Sequence, residues 1–164
     1  MEIPAADITW CYEHGIGVKK DLFKAFDCYE IAAHGENPEA QCMAGYCYDL
    51  GIGTLINKTK ALEWYEQSAM NGELIGQYNF ANFCFSGTAT GRDRNKAFYW
   101  YSKSGYAGYD YSQYRLGYAY QLGAGANKDM HEAIRWYHKA YVQNNPPALK
   151  KIPVVFGASA DDDY

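Results

Sequence analysis

The sequence repeats itself with a period of 36 residues. Three positions of the period carry the same residue in all four copies. They are occupied by Gly15, Gly51, Gly87 and Gly123, by Ala25, Ala61, Ala97 and Ala133, and by Tyr29, Tyr65, Tyr101 and Tyr137. A period of about 20 to 50 residues indicates an array of small units that bury their cores against one another.

Each repeat is predicted to form two helices joined by a glycine loop. In the second repeat, Asn37 and Pro38 suit the start of a helix, and Gly51 suits its left-handed end. Asn57 then provides the cap of the second helix, as aspartates do in the other repeats. We expect first helices at about 4–14, 38–50, 74–86 and 110–122, and second helices at about 21–35, 57–71, 93–107 and 129–143.

The repeated positions also predict the core. In the second repeat, Ala61, Trp64 and Tyr65 have the spacing of one buried helix face. A small residue recurs on the first helices, at Gly45, Ala81 and Gly117. Because glycine costs about 1 kcal/mol relative to alanine inside a helix, its use there indicates close packing against the partner helix.

The repeat pattern fades at the carboxyl end. Asn145-Pro146 opens a fifth first helix, which Pro153 is expected to stop. We therefore predict one repeat array over residues 1–151, with units of about 1–36, 37–72, 73–108 and 109–144, a partial capping helix at 145–151, and a disordered tail at 152–164. The third repeat reads Gly87-Thr88-Ala89 instead of Gly-x-Gly, and its loop is expected to be the least regular.

Composition narrows the classes of function. A formal charge of −4, with no Lys/Arg cluster longer than a pair, argues against nucleic acid as a partner. No apolar run approaches the roughly 20 residues of a membrane helix, so direct membrane insertion is not expected. The first ten residues do not resemble a signal peptide. Together with cysteines at apolar repeat positions, this favours a cytoplasmic or other intracellular, reducing location.

No motif indicates catalysis. The Gly-x-Gly segments join two helices instead of following a strand, as a dinucleotide site requires. The four histidines, His14, His34, His131 and His138, do not have metal-ligand spacing. No serine or cysteine stands in a nucleophile elbow. We therefore expect no catalytic residues, no cofactor and no metal.

Taken together, these motifs resemble those of Sel1-like repeat proteins. The clearest matches are Gln113 to Gly125 and Lys60 to Gly72, and the resemblance covers roughly residues 4–150. It implies an all-α, right-handed superhelical solenoid of antiparallel helix pairs, related to tetratricopeptide arrays and usually serving as an adaptor. The disulfide-stapled secreted branch has cysteines at positions matching Ala33 and Gln41, where this chain has none in any repeat.

Positions that break the repetition predict a binding surface. Two adjacent rows on the first helices vary from repeat to repeat, and the resemblance places first helices on the concave side. One row is Asp7, Met43, Asn79 and Arg115, and the other is Trp10, Tyr46, Asn82 and Tyr118. An extended peptide would contact aromatic rings there. The asparagines could form hydrogen bonds with its backbone amides, and the arginine could pair with an acidic side chain.

The sequence therefore favours a non-enzymatic scaffold or adaptor that binds a protein or peptide on these first helices. One alternative is a structural spacer or regulatory segment of a larger protein, for example beside a kinase domain or in a chitin synthase regulator, with no ligand of its own. In that case self-association through the ends of the array is expected. An array can be cut between repeats, so the sequence is compatible with a piece of a longer protein.

Overall fold

The structure is a computed structural model that describes Tyr12, His14 and residues 19–155, with side chains described as far as Lys151. Residues 19–155 contain eight α-helices and no strand. They are α1 (Leu22–His34), α2 (Pro38–Leu50), α3 (Lys58–Met70), α4 (Leu74–Ser86), α5 (Arg94–Tyr106), α6 (Asp110–Leu122), α7 (Met130–Val142) and α8 (Pro146–Val155). The all-α repeat fold is confirmed.

The chain divides into two compact units. The first contains the described residues up to Phe80 and also Thr88–Thr90, and the second contains Ala81–Gly87 and the described residues from Gly91 onward. Within the first unit, α2 packs against both α1 and α3. Within the second, α6 packs against α5 and α7, and α7 also packs against α8.

Side-chain caps set the helix starts where the sequence placed them. The Asn37 side chain accepts a hydrogen bond from the Ala40 backbone N–H at 2.8 Å, which caps α2. Asp21, Asn57 and Asp93 accept in the same way from the residues three positions on, and Asp129 accepts from both His131 and Glu132. Each cap satisfies a backbone donor that the helix leaves without an internal partner.

The loops after the first helices depend on glycine at two positions. Gly51 and Gly53 have φ of 75° and 66°, and a Cβ on Gly53 would overlap the carbonyl oxygen of Leu22. The third repeat has Ala89 at the position of Gly53, and Ala89 adopts a φ of 56°. This alanine therefore occupies a left-handed conformation that normally costs a residue with a Cβ about 1–2 kcal/mol.

The predicted close packing of the first and second helices is confirmed. A Cβ built on Gly45 would lie 2.8 Å from Cδ1 of Tyr65, and one on Gly117 would lie 2.6 Å from Cδ1 of Tyr137. Both tyrosines are buried, as is Ala61. Glycine on the first helix thus makes room for the tyrosine ring of the second.

A glutamine joins the start of a first helix to the preceding second helix at α2, α4 and α6. The Gln41 amide donates to the backbone carbonyl of Ala33, and Gln77 and Gln113 donate likewise to Ala69 and Gly105. We call this contact the glutamine clasp. Its acceptor always lies eight residues before the glutamine, at the end of the preceding helix.

The carboxyl-terminal helix differs from the sequence prediction. Helix α8 continues through Pro153 to Val155, past the expected end at residue 151. Pro153 lacks the N–H that would bond to the Leu149 carbonyl, so the helix continues past residue 151 with that one hydrogen bond missing. The predicted helix at 4–14 lies outside the described residues except for Tyr12 and His14, which are helical.

Candidate functional site

A groove of about 640 Å³ opens in the first compact unit. It is lined by α2, by the turn before α4 and by the start of α4. Met43, Tyr46 and Asn79, three of the predicted binding residues, lie along it. The volume falls in the range of about 300–1,000 Å³ that is typical of ligand-binding clefts.

The base of the groove is an uncharged thiol. Cys42 is 5% exposed, and burial, reinforced by the negative charge of Glu73, raises the pKa of its thiol to about 12. The Asn79 amide nitrogen lies 3.8 Å from the Cys42 sulfur and donates to it. Because the thiol stays protonated at neutral pH, Cys42 contributes an apolar surface and is a poor nucleophile.

The walls of the groove are largely apolar and open to solvent. Tyr46 is 42% exposed and Ile75 is 45% exposed, although both are large hydrophobic side chains. Met43 is half-buried, and Pro38 forms part of the lining. Exposed apolar side chains gathered around a concave surface are typical of sites that bind another molecule.

Two carboxylates give the groove its charge. Glu39 lies in the first turn of α2, and Glu73 precedes α4 and accepts a hydrogen bond from the Gly76 backbone N–H. Among the described residues that line the groove there is no Lys, Arg or His. The groove is therefore negatively charged as well as apolar.

The second compact unit contains three more of the predicted binding residues. The Asn82 side-chain oxygen accepts a hydrogen bond from the Tyr101 hydroxyl at 2.7 Å, so this oxygen is engaged within the chain. The Tyr118 ring packs edge-on against Phe85, with centroids 6.3 Å apart, and Arg115 is half-buried. Asp7 and Trp10 lie outside the described residues.

Sequence reasoning missed the part of the groove that carries its charge. Glu39 and Ile75 occupy one repeat position, which Tyr111 and Pro147 fill in the later copies. This position varies as much as the two predicted rows and lies four residues before Met43, one helical turn away. A third row at this position would have predicted Glu39 and Ile75, but not Glu73, which occupies the repeat position of Asn37.

Outside the groove, the four histidines are exposed, and the His34 ring stacks edge-on against Trp64 with centroids 5.0 Å apart. In the described part of the chain, His, Cys, Asp and Glu do not form a group of three that could hold a metal ion. None of the helices described is long and apolar enough to span a membrane.

The family assignment comes from the repeats themselves. The family described as Sel1 repeat matches residues 5–37, 38–73, 74–109 and 110–145. The chain belongs to the Sel1 repeat family. Proteins built of Sel1 repeats are generally non-catalytic scaffolds for protein interactions. No curated protein sequence matches the chain.

Solved Sel1 repeat structures resemble this one. The Sel1 repeat protein of Oxalobacter formigenes is 27% identical with a TM-score of 0.82, and 88% of this chain covers 59% of that protein. A protective antigen of uropathogenic Escherichia coli with an SLR fold is 27% identical with a TM-score of 0.85, and 96% of this chain covers 34% of it. This chain therefore spans less than two thirds of either relative.

A third similar structure belongs to a cysteine-rich relative. Helicobacter pylori cysteine rich protein B is 23% identical with a TM-score of 0.62, and 80% of this chain covers 94% of that protein. At this identity the likeness concerns the fold alone. In the present Sel1 repeat chain, Ala33 and Gln41 stand at the positions expected for cysteines in the stapled branch, and the glutamine clasp joins them.

Proposed function

We propose that this Sel1 repeat chain is a scaffold that binds an extended segment of another protein on its first helices. The observation that carries the proposal is the apolar groove of the first unit, where Met43, Tyr46 and Asn79 come together. Asn82, Arg115 and Tyr118 of the second unit, and Asp7 and Trp10 outside the described residues, stay predicted binding residues.

The groove residues suit an extended peptide. Tyr46 offers a large ring with few rotatable bonds, so a bound segment buries apolar area there at low entropic cost. The Asn79 nitrogen donates to Cys42, which leaves its side-chain oxygen to accept a hydrogen bond from a peptide N–H. Ring and amide together would hold both a side chain and the backbone of the partner.

A crosslinking pulldown from the native cell tests this proposal. We expect the double variant Tyr46→Ala with Tyr118→Ala to lose partner capture while its melting temperature stays close to that of the wild type. Tyr141→Ala is a matched control, because Tyr141 is 41% exposed, as Tyr46 is at 42%, and does not line the groove. This control should retain capture.

Capture that is undiminished in a folded double variant would contradict the groove as the binding site. Loss of capture in the Tyr141→Ala control as well would show that the assay detects nonspecific binding to exposed aromatic side chains. If no partner is captured and the protein self-associates in light scattering, a spacer role is favoured instead.

A further inference from the structure

We propose that the groove of the first unit selects an extended segment in which a lysine or arginine adjoins an apolar side chain. This inference rests on the proposed function and specifies the chemistry of the partner. It follows from three features of the groove, which are its charge, its apolar walls and its size.

The charge of the groove is of one sign. Glu39 and Glu73 belong to the lining, and no described lining residue is cationic. The Asn79 amide and the protonated Cys42 thiol add no charge of their own. A cationic side chain would therefore be attracted to the groove, and an acidic one would be repelled.

The apolar walls match the remainder of such a side chain. Lysine and arginine have methylene stems that pack on apolar surface while the charged group stays near water and acid. Tyr46 and Ile75, both exposed, provide that surface, and the Tyr46 ring can also take part in a cation–π contact. A residue with charge alone would leave these side chains uncovered.

The size of the groove points to a peptide and not to a small cation. A volume of about 640 Å³ exceeds what one ammonium group occupies and has room for several side chains. The apolar neighbour of the basic residue would fill the space against Met43 and Pro38, which lie on α2 with Glu39.

The test uses a library of random twelve-residue peptides displayed on phage and selected against the immobilised full chain. We expect the selected peptides to be enriched in Lys or Arg next to an apolar residue and depleted in Asp and Glu. A synthetic copy of the most enriched peptide is then titrated by fluorescence polarisation at low and high salt. Binding should weaken as salt rises, because partly exposed charges are screened.

Two charge variants make the result specific. Glu39→Gln with Glu73→Gln should weaken binding of that peptide about fivefold to tenfold, the effect expected of two partly exposed ion pairs. The glutamine at position 73 keeps an oxygen that can accept from the Gly76 N–H, so the helix start is preserved. Glu36→Gln with Glu63→Gln removes the same charge from exposed positions outside the groove lining and should leave binding unchanged.

Selected peptides without basic residues, or binding that the Glu39/Glu73 variant leaves unchanged, would overturn the proposed charge preference. In that case, loss of peptide binding in Tyr46→Ala would still support the groove as a peptide site. Peptides that bind Tyr46→Ala as well as the wild type, or a selection that enriches no sequence, would overturn the groove itself.

Discussion

Replacing Gly117 by alanine tests whether the fit between first and second helices explains the glycine in the repeat. A Cβ at this position would lie 2.6, 2.8 and 2.9 Å from Cδ1, Cε1 and Cγ of Tyr137. Contacting carbon atoms prefer separations of about 3.5–4.0 Å. The ring or the helix must therefore move by about 1 Å to accept the methyl group.

The Tyr137 ring has little freedom to move away. It is fully buried, and its hydroxyl donates to the Gln121 side chain at 2.8 Å. Overpacking of this kind costs about 1–3 kcal/mol, and straining the hydrogen bond adds up to about 1 kcal/mol. The better helix propensity of alanine offsets about 1 kcal/mol. We expect Gly117→Ala to lower the free energy of unfolding by about 1–2 kcal/mol, or the melting temperature by about 3–6 °C.

Guanidinium unfolding followed by circular dichroism measures this change. Gly91→Ala serves as the control, because a Cβ on Gly91 has no atom within 4 Å and the substitution should raise stability by a few tenths of a kcal/mol. In the background of Tyr137→Leu, Gly117→Ala should lose most of its cost. If Gly117→Ala alone stabilises the protein by about 1 kcal/mol, as helix propensity would do, the packing explanation is refuted.

Three further predictions concern stability. Ala89→Gly should raise the free energy of unfolding by about 0.5–1 kcal/mol in thermal melts, because it relieves the left-handed alanine at the cost of some chain entropy; a loss would contradict this. Ser112→Ala should raise the free energy of unfolding by about 1 kcal/mol in guanidinium titrations, since the buried Ser112 hydroxyl lacks a hydrogen-bond partner. Ser68→Ala should lower it by a similar amount, because the Ser68 hydroxyl donates to the Pro38 carbonyl at 2.7 Å. Equal effects of the two substitutions would refute this distinction. Burial raises the pKa of Tyr65 and Tyr137, so their contribution to stability is complete below the ordinary tyrosine pKa of about 10 and falls as the pH rises above it. Above about pH 10, the unfolding midpoint should fall less steeply with pH in Tyr137→Phe than in the wild type. An unchanged slope would show that ionisation of Tyr137 does not cause the loss of stability.

Local chemistry explains why the helices could be predicted from the sequence. The predicted bounds of α2, 38–50, agree with the structure because the Asn37 cap and the left-handed Gly51 act within a few residues of the helix ends. The predicted end of α8 at residue 151 was wrong, because the helix runs to Val155 although Pro153 cannot donate to the Leu149 carbonyl. Caps and left-handed glycines can be read residue by residue, whereas the effect of a proline depends on its place in the helix.

The candidate site was predictable only in part, because its chemistry depends on side chains distant in sequence. Broken repetition identified Met43, Tyr46 and Asn79, which line one groove. It did not reveal that the Asn82 oxygen accepts from Tyr101, a contact between residues 19 positions apart. The acidic character of the groove likewise requires Glu39, on α2, and Glu73, in the turn before α4, to line the same space. Such pairings follow from the register between helices, which the repeat period alone does not define.

The glutamine clasp has a consequence for how such a chain can change its length. Its donor is one side chain and its acceptor is a backbone carbonyl eight residues earlier, so the bond does not depend on which side chain the preceding repeat carries there. Alanine fills the acceptor position twice and glycine once. A duplicated or deleted block of 36 residues would thus recreate the same junction on both sides. Duplication or deletion of whole repeats could therefore change the length of this protein without requiring a new interface between helix pairs.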